Sequence, residues 1–357
     1  MKQTLPVKLA PTGEQSAALL ATMERFNAAC DAIAEVAFRE RCANKIELQK
    51  LVYYTTRERF GLSSQLTVRA ISKVVEAYKR DKTIQPKFRP HGAVPYDQRI
   101  MSWKGVEAVS LLTLTGRVIV PTRLGAYQSA RIDRRQGQAD LIYRGGTWFL
   151  YVTVETPEPT PMQPEDYIGV DLGIVNIAAD SDGATYTGAA IETKRRIYSH
   201  RRRNLQRNSS KSAKRKLRSI KGRQARYQRD VNHCISKTVV RHAKDTGRGI
   251  AVEDLTGIRD RVTVRRRQRA RHSNWGFHQL RAFLTYKATL SGVVLVAVDP
   301  RNTSRTCPEC GSCDKRNRPT RDVFRCRTCG HAASADTNAA RNVRARAVVM
   351  RPKVSAA

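Results

Sequence analysis

Tyr167–Ile191 reads YIGVDLGIVNIAADSDGATYTGAAI, three short apolar runs in succession with turns at Gly173 and around Asp182 and Gly183. Short runs bounded by glycine and aspartate are strand signals. The first run delivers an acid, Asp171, to its C-terminal end, and the nearby glycine leaves room for a phosphate to approach the backbone. Further on, GRGIAVEDL (247–255) is a buried-type strand ending in Glu253 and Asp254, and VVLVAVDP (293–300) is another. Between them lie a loop with arginines at 265, 266, 267, 269 and 271 and a helix from about Asn274 to Leu290.

From Lys194 to Arg229 there are 16 basic residues and no acids. Alone, such a run repels itself. Leu205, Leu217, Ile220 and Tyr227 give it apolar contacts, however, and VNHCISKTVVRHA (231–243) is helical in pattern. We expect two antiparallel helices with arginine-rich faces toward a phosphate backbone; the plainer alternative is a solvated cationic surface. The succession of three strands, helices, strand, helix, strand, insertion and helix is the ribonuclease H arrangement, a mixed α/β sheet whose acids gather at neighbouring strand ends.

The insertion is TCPECGSCDKRNRPTRDVFRCRTCGHAASADTNAARN (306–342). Cys307-x2-Cys310 and Cys326-x2-Cys329 stand fifteen residues apart, the spacing of a four-thiolate zinc ribbon, with Cys313 as a possible substitute ligand. Two disulfides are the alternative, disfavoured by the lack of an export signal. His331 lies just beyond the second pair and suits a backbone or phosphate contact better than ligation. Asp336 opens the last helix, near its positive end, with Ser334 placed to cap it. Asp171, Glu253 and Asp336 form a set: cleavage of a phosphodiester by two divalent ions needs acidic oxygens holding the metals a few ångströms apart, and hard Mg²⁺ suits carboxylates. A single strand-end acid would be as readily a cap.

Composition agrees. Among 357 residues, 66 are lysine or arginine and 31 aspartate or glutamate, a formal charge of +35. That balance suggests a polyanionic partner, nucleic acid foremost. Residues 161–357 carry most of the excess. No apolar run approaches bilayer length and no signal peptide opens the chain, so a cytoplasmic protein without a membrane partner is expected. Cys30, Cys42 and Cys234 read as ordinary thiols of a reducing compartment.

The N-terminal half has a different rhythm. KQTLPVKL (2–9) is a strand, and Thr12 with Gln15 makes a capping box for a helix whose core face is Leu19, Met23, Phe26, Cys30, Ile33 and Ala37. Val68, Ile71, Val75 and Tyr78 mark another helix. VSLLTLTGRVIV (109–120), QADLIYRGG (138–146) and TWFLYVTVE (147–155) are β runs, so a small β-barrel interrupted by helices satisfies the order. TPEPTPMQPED (156–166), with four prolines, is a linker.

IGVDLG (168–173), IAVEDL (250–255), NWGFHQLRAFLTYKA (274–288), DPRNTSRTCPECG (299–311) and FRCRTCGHAASADTNAARN (324–342) together resemble the TnpB family, the RNA-guided nucleases of insertion sequences related to compact type V CRISPR effectors. The resemblance covers about residues 165–345; the N-terminal half shares only the layout. It implies an RNase H-like RuvC nuclease domain (159–302 and 332–345) with an inserted zinc ribbon (303–331) that binds target nucleic acid. It also implies a wedge-like β-barrel (1–10 and 85–158), a helical recognition insert (11–84) and a flexible basic tail (346–357). Asp171, Glu253 and Asp336 would be the RuvC acids holding two Mg²⁺, and Cys307, Cys310, Cys326 and Cys329 the ligands of one structural Zn²⁺. The implied activity is magnesium-dependent cutting of double-stranded DNA beside a short flanking motif, directed by a structured guide RNA. The resemblance sets no oligomeric state. Inserted between the last strand and the helix bearing the third acid, the ribbon would guide a strand into the metal centre or gate it.

This chain has Ala335 where many relatives have arginine, a departure that touches a local contact rather than the ligand set. Three competing readings exist. GVDLG also resembles the phosphate loop of actin-like ATPases, which lack the ribbon and do not need such charge; a guided repressor would not need all three acids; a strand-transfer transposase finds no support beyond the acids themselves.

Overall fold

The computed structural model describes residues 1–256 and 276–350. The arginines at 265–271, the first residues of the helix expected from Asn274, and the tail from residue 351 lie outside the described residues. The chain divides into two compact units, Met1–Pro157 and Glu158–Ala357.

In the first unit, strand β1 (Lys2–Leu9) is followed by helices α1 (Gly13–Arg39), α2 (Lys45–Phe60) and α3 (Ser64–Arg80). Strands β2 (Val94–Tyr96), β3 (Met101–Lys104), β4 (Ala108–Thr113), β5 (Gly116–Arg123), β6 (Arg135–Arg144) and β7 (Thr147–Glu155) complete it, apart from a short helical turn between β5 and β6. Hydrogen bonding runs in the order β2-β6-β7-β1-β5-β4-β3, all antiparallel. The sheet curls until its ends nearly meet: the Tyr96 hydroxyl on edge strand β2 donates to the Leu112 carbonyl of β4 at 2.8 Å, and the Leu112 amide donates to the Ile100 carbonyl at 2.9 Å. The capping box forms as read, with the Thr12 hydroxyl accepting from the Gln15 amide and the Gln15 side chain accepting from the Thr12 amide. All six α1 core positions are buried in one cluster shared with the sheet.

The second unit is built on β8 (Tyr167–Asp171), β9 (Asn176–Asp180) and β10 (Thr185–Thr187). Helices α5 (Ala189–Arg207), α6 (Lys211–Ile220) and α7 (Arg223–Asp245) follow, with α4 (Ala126–Ser129) being the turn in the first unit. Then come β11 (Gly249–Glu253), α8 (Phe277–Ser291), β12 (Leu295–Val298), the hairpin β13 (Val323–Arg325) with β14 (Ala332–Ser334), and α9 (Ala335–Met350). The five-stranded sheet is ordered β10-β9-β8-β11-β12; β8, β11 and β12 are parallel, while β9 and β10 run antiparallel.

One expectation needs correcting. The basic run makes three helices, not two, and 231–243 is the end of α7 rather than a separate element. Ser210 caps α6 by accepting from the Ala213 amide, and Gly222, at φ +76°, supplies the left-handed break before α7. Gly173 makes the turn read for it: a Cβ there would lie 2.5 Å from the Asn176 carbonyl oxygen, so its bare backbone serves the tight β8–β9 connection.

Strand alternation assigns the two faces of the sheet. Ile168, Val170, Ile250 and Val252 pack against Ile235, Val239, Leu280 and Leu284 from α7 and α8. Tyr167 and Ala251 point the other way and meet Val343 and Ala347 of α9. Gly169, on this second face, lets α9 come close: a Cβ at 169 would lie 2.0 Å from the Ala340 carbonyl oxygen and 2.6 Å from the Arg344 nitrogen. Because both are backbone atoms, no rotamer change relieves the clash. Gly169→Ala is therefore expected to destabilise this unit by about 3 kcal/mol or more, at the upper end of overpacking costs. A urea midpoint within error of the parent would contradict it.

Candidate active site and ribbon

Asp171 and Glu253 are the last residues of β8 and β11, and the parallel register pairing Val170 with Val252 sets them side by side. By strand parity both fall on the α9 face, where Asp336 lies in the first turn of that helix. The structure thus brings the three sequence-selected acids to one place. Their proximity is electrostatic as well: burial, then the charges of Glu253 and Asp336, push the Asp171 carboxyl up to about 8, with Arg318 opposing. Burial also raises Glu253, offset by a hydrogen bond from Thr303. Asp254 takes no part. It accepts from Arg281 and from the Thr256 hydroxyl, which hold its carboxyl low.

Three further side chains hold the acids. The Thr303 hydroxyl, on a residue only 3% exposed, donates to Glu253 Oε1 at 2.6 Å. Asn176 Nδ2 donates to Asp336 Oδ2 at 2.7 Å. Arg318 extends from the ribbon to place Nη2 3.8 Å from Asp336 Oδ1. None was legible beforehand. Thr303 and Asn176 are ordinary loop and strand-end residues in the sequence, and Arg318 is one arginine in a basic stretch. The threonine loop is itself gripped by α9, since the Asn342 side chain donates to the Thr303 and Thr306 carbonyls, both at 2.7 Å, and Asn338 donates to the Thr306 carbonyl at 3.0 Å. Hydrogen-bonded supports of this kind commonly carry 10- to 100-fold in metal affinity or activity. If these acids hold Mg²⁺ for a cleavage reaction, Thr303→Val should lower Mg²⁺ affinity by about 10-fold or more within that range, read as the Mg²⁺ concentration giving half-maximal cleavage; an unchanged midpoint would show Glu253 needs no such support.

Cys307, Cys310, Cys326 and Cys329 place their sulfur atoms all within 4.8 Å of one another. Cys307 and Cys329 are 3.6 Å apart, and Cys310 and Cys326 are 3.5 Å apart. A tetrahedron of Zn–S bonds has edges of about 3.8 Å, so the donor set fits one Zn²⁺. The Cys329 amide, foremost, and the Thr328 amide hydrogen-bond to the Cys326 sulfur and help draw its thiol down to about 6, favouring the thiolate a metal needs. Cys313 falls outside the group. Its backbone bridges to Thr306, and its sulfur is not one of the four that converge. Ser334, expected to cap the last helix, instead ends β14, which runs directly into α9, and the Ala335 amide donates to the Asp322 carbonyl. The His331 carbonyl accepts from the Cys326 amide. Among the described residues the four thiols are the sole such cluster of three or more ligand side chains; the three carboxylates are not all within 4.8 Å of one another.

The geometry defines a two-unit chain with a curled antiparallel sheet, and a mixed α/β sheet carrying three acids beside a four-thiol ribbon. Comparison with known proteins gives the same combination. Residues 277–343 match the model "Cas12f1-like, TNB domain" and residues 149–258 the model "Probable transposase" of the OrfB type. A TnpB-like protein of Methanocaldococcus jannaschii, MJ0751, is 30% identical over 195 residues, covering 51% of this chain and 69% of that one. The chain belongs to the TnpB-like family. A CRISPR-associated endodeoxyribonuclease, Cas12f1 of Sulfoacidibacillus thermotolerans, is 32% identical over 218 residues, 56% of this chain; the match spans half of that relative's length. The fold is shared with Cas12f1 in a Cas12f1-sgRNA-target DNA complex, at a TM-score of 0.63 and 12% identity, over 96% of this chain and 98% of that one. No described helix is long and apolar enough to cross a membrane.

Proposed function

We propose that the protein is an RNA-guided DNA endonuclease that cuts target DNA next to a short flanking motif at a single RuvC-like, RNase H-type site. Asp171, Glu253 and Asp336 are its catalytic acids. The observation carrying this reading is the convergence of two parallel strand ends and a helix start on one cluster of carboxylates, with the central one, Asp171, raised to about 8 by burial and by its neighbours. Such a cluster is incomplete without cations. Two Mg²⁺ bound there would activate a water and stabilise the leaving oxygen. Thr303 and Asn176 hold Glu253 and Asp336 in a ligating orientation. Arg318, its guanidinium beside Asp336, is placed to receive a phosphate oxygen of the strand being cut.

The sheet order supports the RNase H-type assignment: three antiparallel strands, then two parallel to the first. On this reading 159–302 with 332–345 is the nuclease domain and 303–331 the ribbon, folded on one structural Zn²⁺. Residues 1–10 with 85–158 form a wedge-like barrel and 11–84 a recognition insert. The net charge of +35 meets a structured guide RNA and duplex target DNA. The relative named as an endodeoxyribonuclease and the solved complex holding sgRNA and target DNA support the same assignment.

The test is to sequence the RNA that copurifies with the protein and then to offer the complex a plasmid bearing the matching target in Mg²⁺. One structured RNA species with a variable end, and cleavage confined to the matched plasmid, are expected. Random cellular RNA, or cutting that ignores the match, would reduce the protein to a generic basic nuclease.

A further inference from the structure

The basic helices α5, α6 and α7 do not close tightly on one another. Between them is a cavity of about 310 Å³, lined by Tyr198, Leu217 and Ile220, with Arg202, Arg218 and Lys221 among its other lining residues. Its size is at the small end for pockets that hold organic ligands, suited to a group no larger than one nucleotide. The three cations are exposed, Tyr198 and Leu217 are half-buried, and Gln224 contributes an amide. No helix of this set has an acid between Lys194 and Arg229 to repel a phosphate. An apolar, aromatic interior within so cationic a segment is unusual. Leu217 and Ile220 also serve the packing of these helices, whereas the half-buried ring of Tyr198 adds a face on which a base can stack.

We infer that this cavity receives the base of a single unpaired RNA nucleotide, with Tyr198 as its stacking surface, Gln224 facing a base edge, and Arg202, Arg218 and Lys221 taking the flanking phosphates. The occupant is RNA because a folded RNA presents unstacked bases in its bulges and loops. A base in a DNA duplex must instead first be unpaired and unstacked. Bases stack on aromatic rings with little regard to sequence, so the pocket selects an unpaired position and not a particular letter. The inference rests on the proposed RNA-guided function and adds to it a subsite that registers the RNA on the protein.

The experiment uses the full chain and three probes: an RNA hairpin carrying one bulged 2-aminopurine, the same hairpin fully paired, and a DNA hairpin with the same bulge. In the parent protein the bulged RNA should bind roughly tenfold more tightly than the paired one, the scale of one stacked base, with its fluorescence quenched on binding. Tyr198→Ala and the cavity-filling Leu217→Trp should each bring that ratio close to one while paired-hairpin binding persists. Arg215→Ala, a cation outside the cavity, should weaken both RNA probes alike. Retention of the ratio in both pocket variants, with melting temperatures showing them folded, overturns the assignment. Equal binding of the two RNA hairpins by the parent also overturns it, while leaving the RNA-guided reading intact. Failure to bind either hairpin overturns the pocket together with the nucleic-acid reading of these helices. A preference for the bulged DNA hairpin over the bulged RNA one overturns the choice of RNA.

Discussion

Asp171→Asn is expected to abolish cleavage while raising the melting temperature of the metal-free protein. The loss follows from removing a central charge of the acid cluster: metal stabilisation of a phosphoryl transition state is worth several kcal/mol, so turnover should fall by about 10³-fold or more. The gain in stability has the same origin. In the folded chain, burial and the charges of Glu253 and Asp336 raise this carboxyl to about 8, against about 3.9 when unfolded. Between those values the native state binds the proton and the unfolded state does not, so stability declines as pH rises from about 4 to about 8. Asparagine is neutral throughout and removes that contribution to the decline. At pH 8, without divalent ions, the variant should melt at least about 2–4 °C higher, the scale of 1 kcal/mol in a unit of this size. It should also show a shallower fall in melting temperature between pH 5 and pH 8. Added Mg²⁺ should reverse the order by stabilising only the parent. A variant that still cuts would remove Asp171 from the catalytic set; one that cuts nothing but is less stable at pH 8 would show that the acids are not in electrostatic conflict.

Cys326→Ser, or removal of zinc by a chelator, is expected to disable cleavage without touching a carboxylate. The ribbon has little core of its own: Cys307, Phe324, Cys326 and Ala335 are its buried apolar cluster. Zinc binding in modules of this size provides roughly 10–16 kcal/mol of apparent free energy at neutral pH, which is folding free energy. The Thr303 loop leads directly into Cys307, and Arg318 lies between the two cysteine pairs. Unfolding the ribbon therefore releases the hydrogen bond to Glu253 and the guanidinium beside Asp336 together. Misplacement of a catalytic group by about 1 Å can cost 10²-fold, so a loss of at least that size is expected. Circular dichroism should show the first unit and the sheet core of the second still folded, because their clusters do not include the ribbon. Full cleavage in the zinc-free protein would separate the ribbon from the active site.

The legibility of this chain differed by element. β1 and the start of α1 were readable to the residue because strand alternation, the 3.6-residue period and the Thr12–Gln15 box are all signals between near neighbours. The three helices of residues 189–245 were harder to divide. Their breaks depend on one serine cap and one glycine within a stretch where charge hides the periodicity. α2 went unnoticed for a related reason: Leu48, Val52 and Thr56 are its buried residues, while Ile46, Leu51 and Tyr54 are exposed, which blurs its apolar stripe.

The amino-acid sequence alone determined the residue types of both candidate sites: the four cysteines through pair spacing, and the three acids through their positions at strand ends and a helix start. Only the tertiary structure decided how those acids are held, by Thr303, Asn176 and Arg318, and that Gly169 exists to admit α9. The reason is physical. Spacing and period act through a few bonds along the chain, whereas these contacts join residues 50, 160 and 18 positions apart and form only after register, crossover and ribbon have each been set.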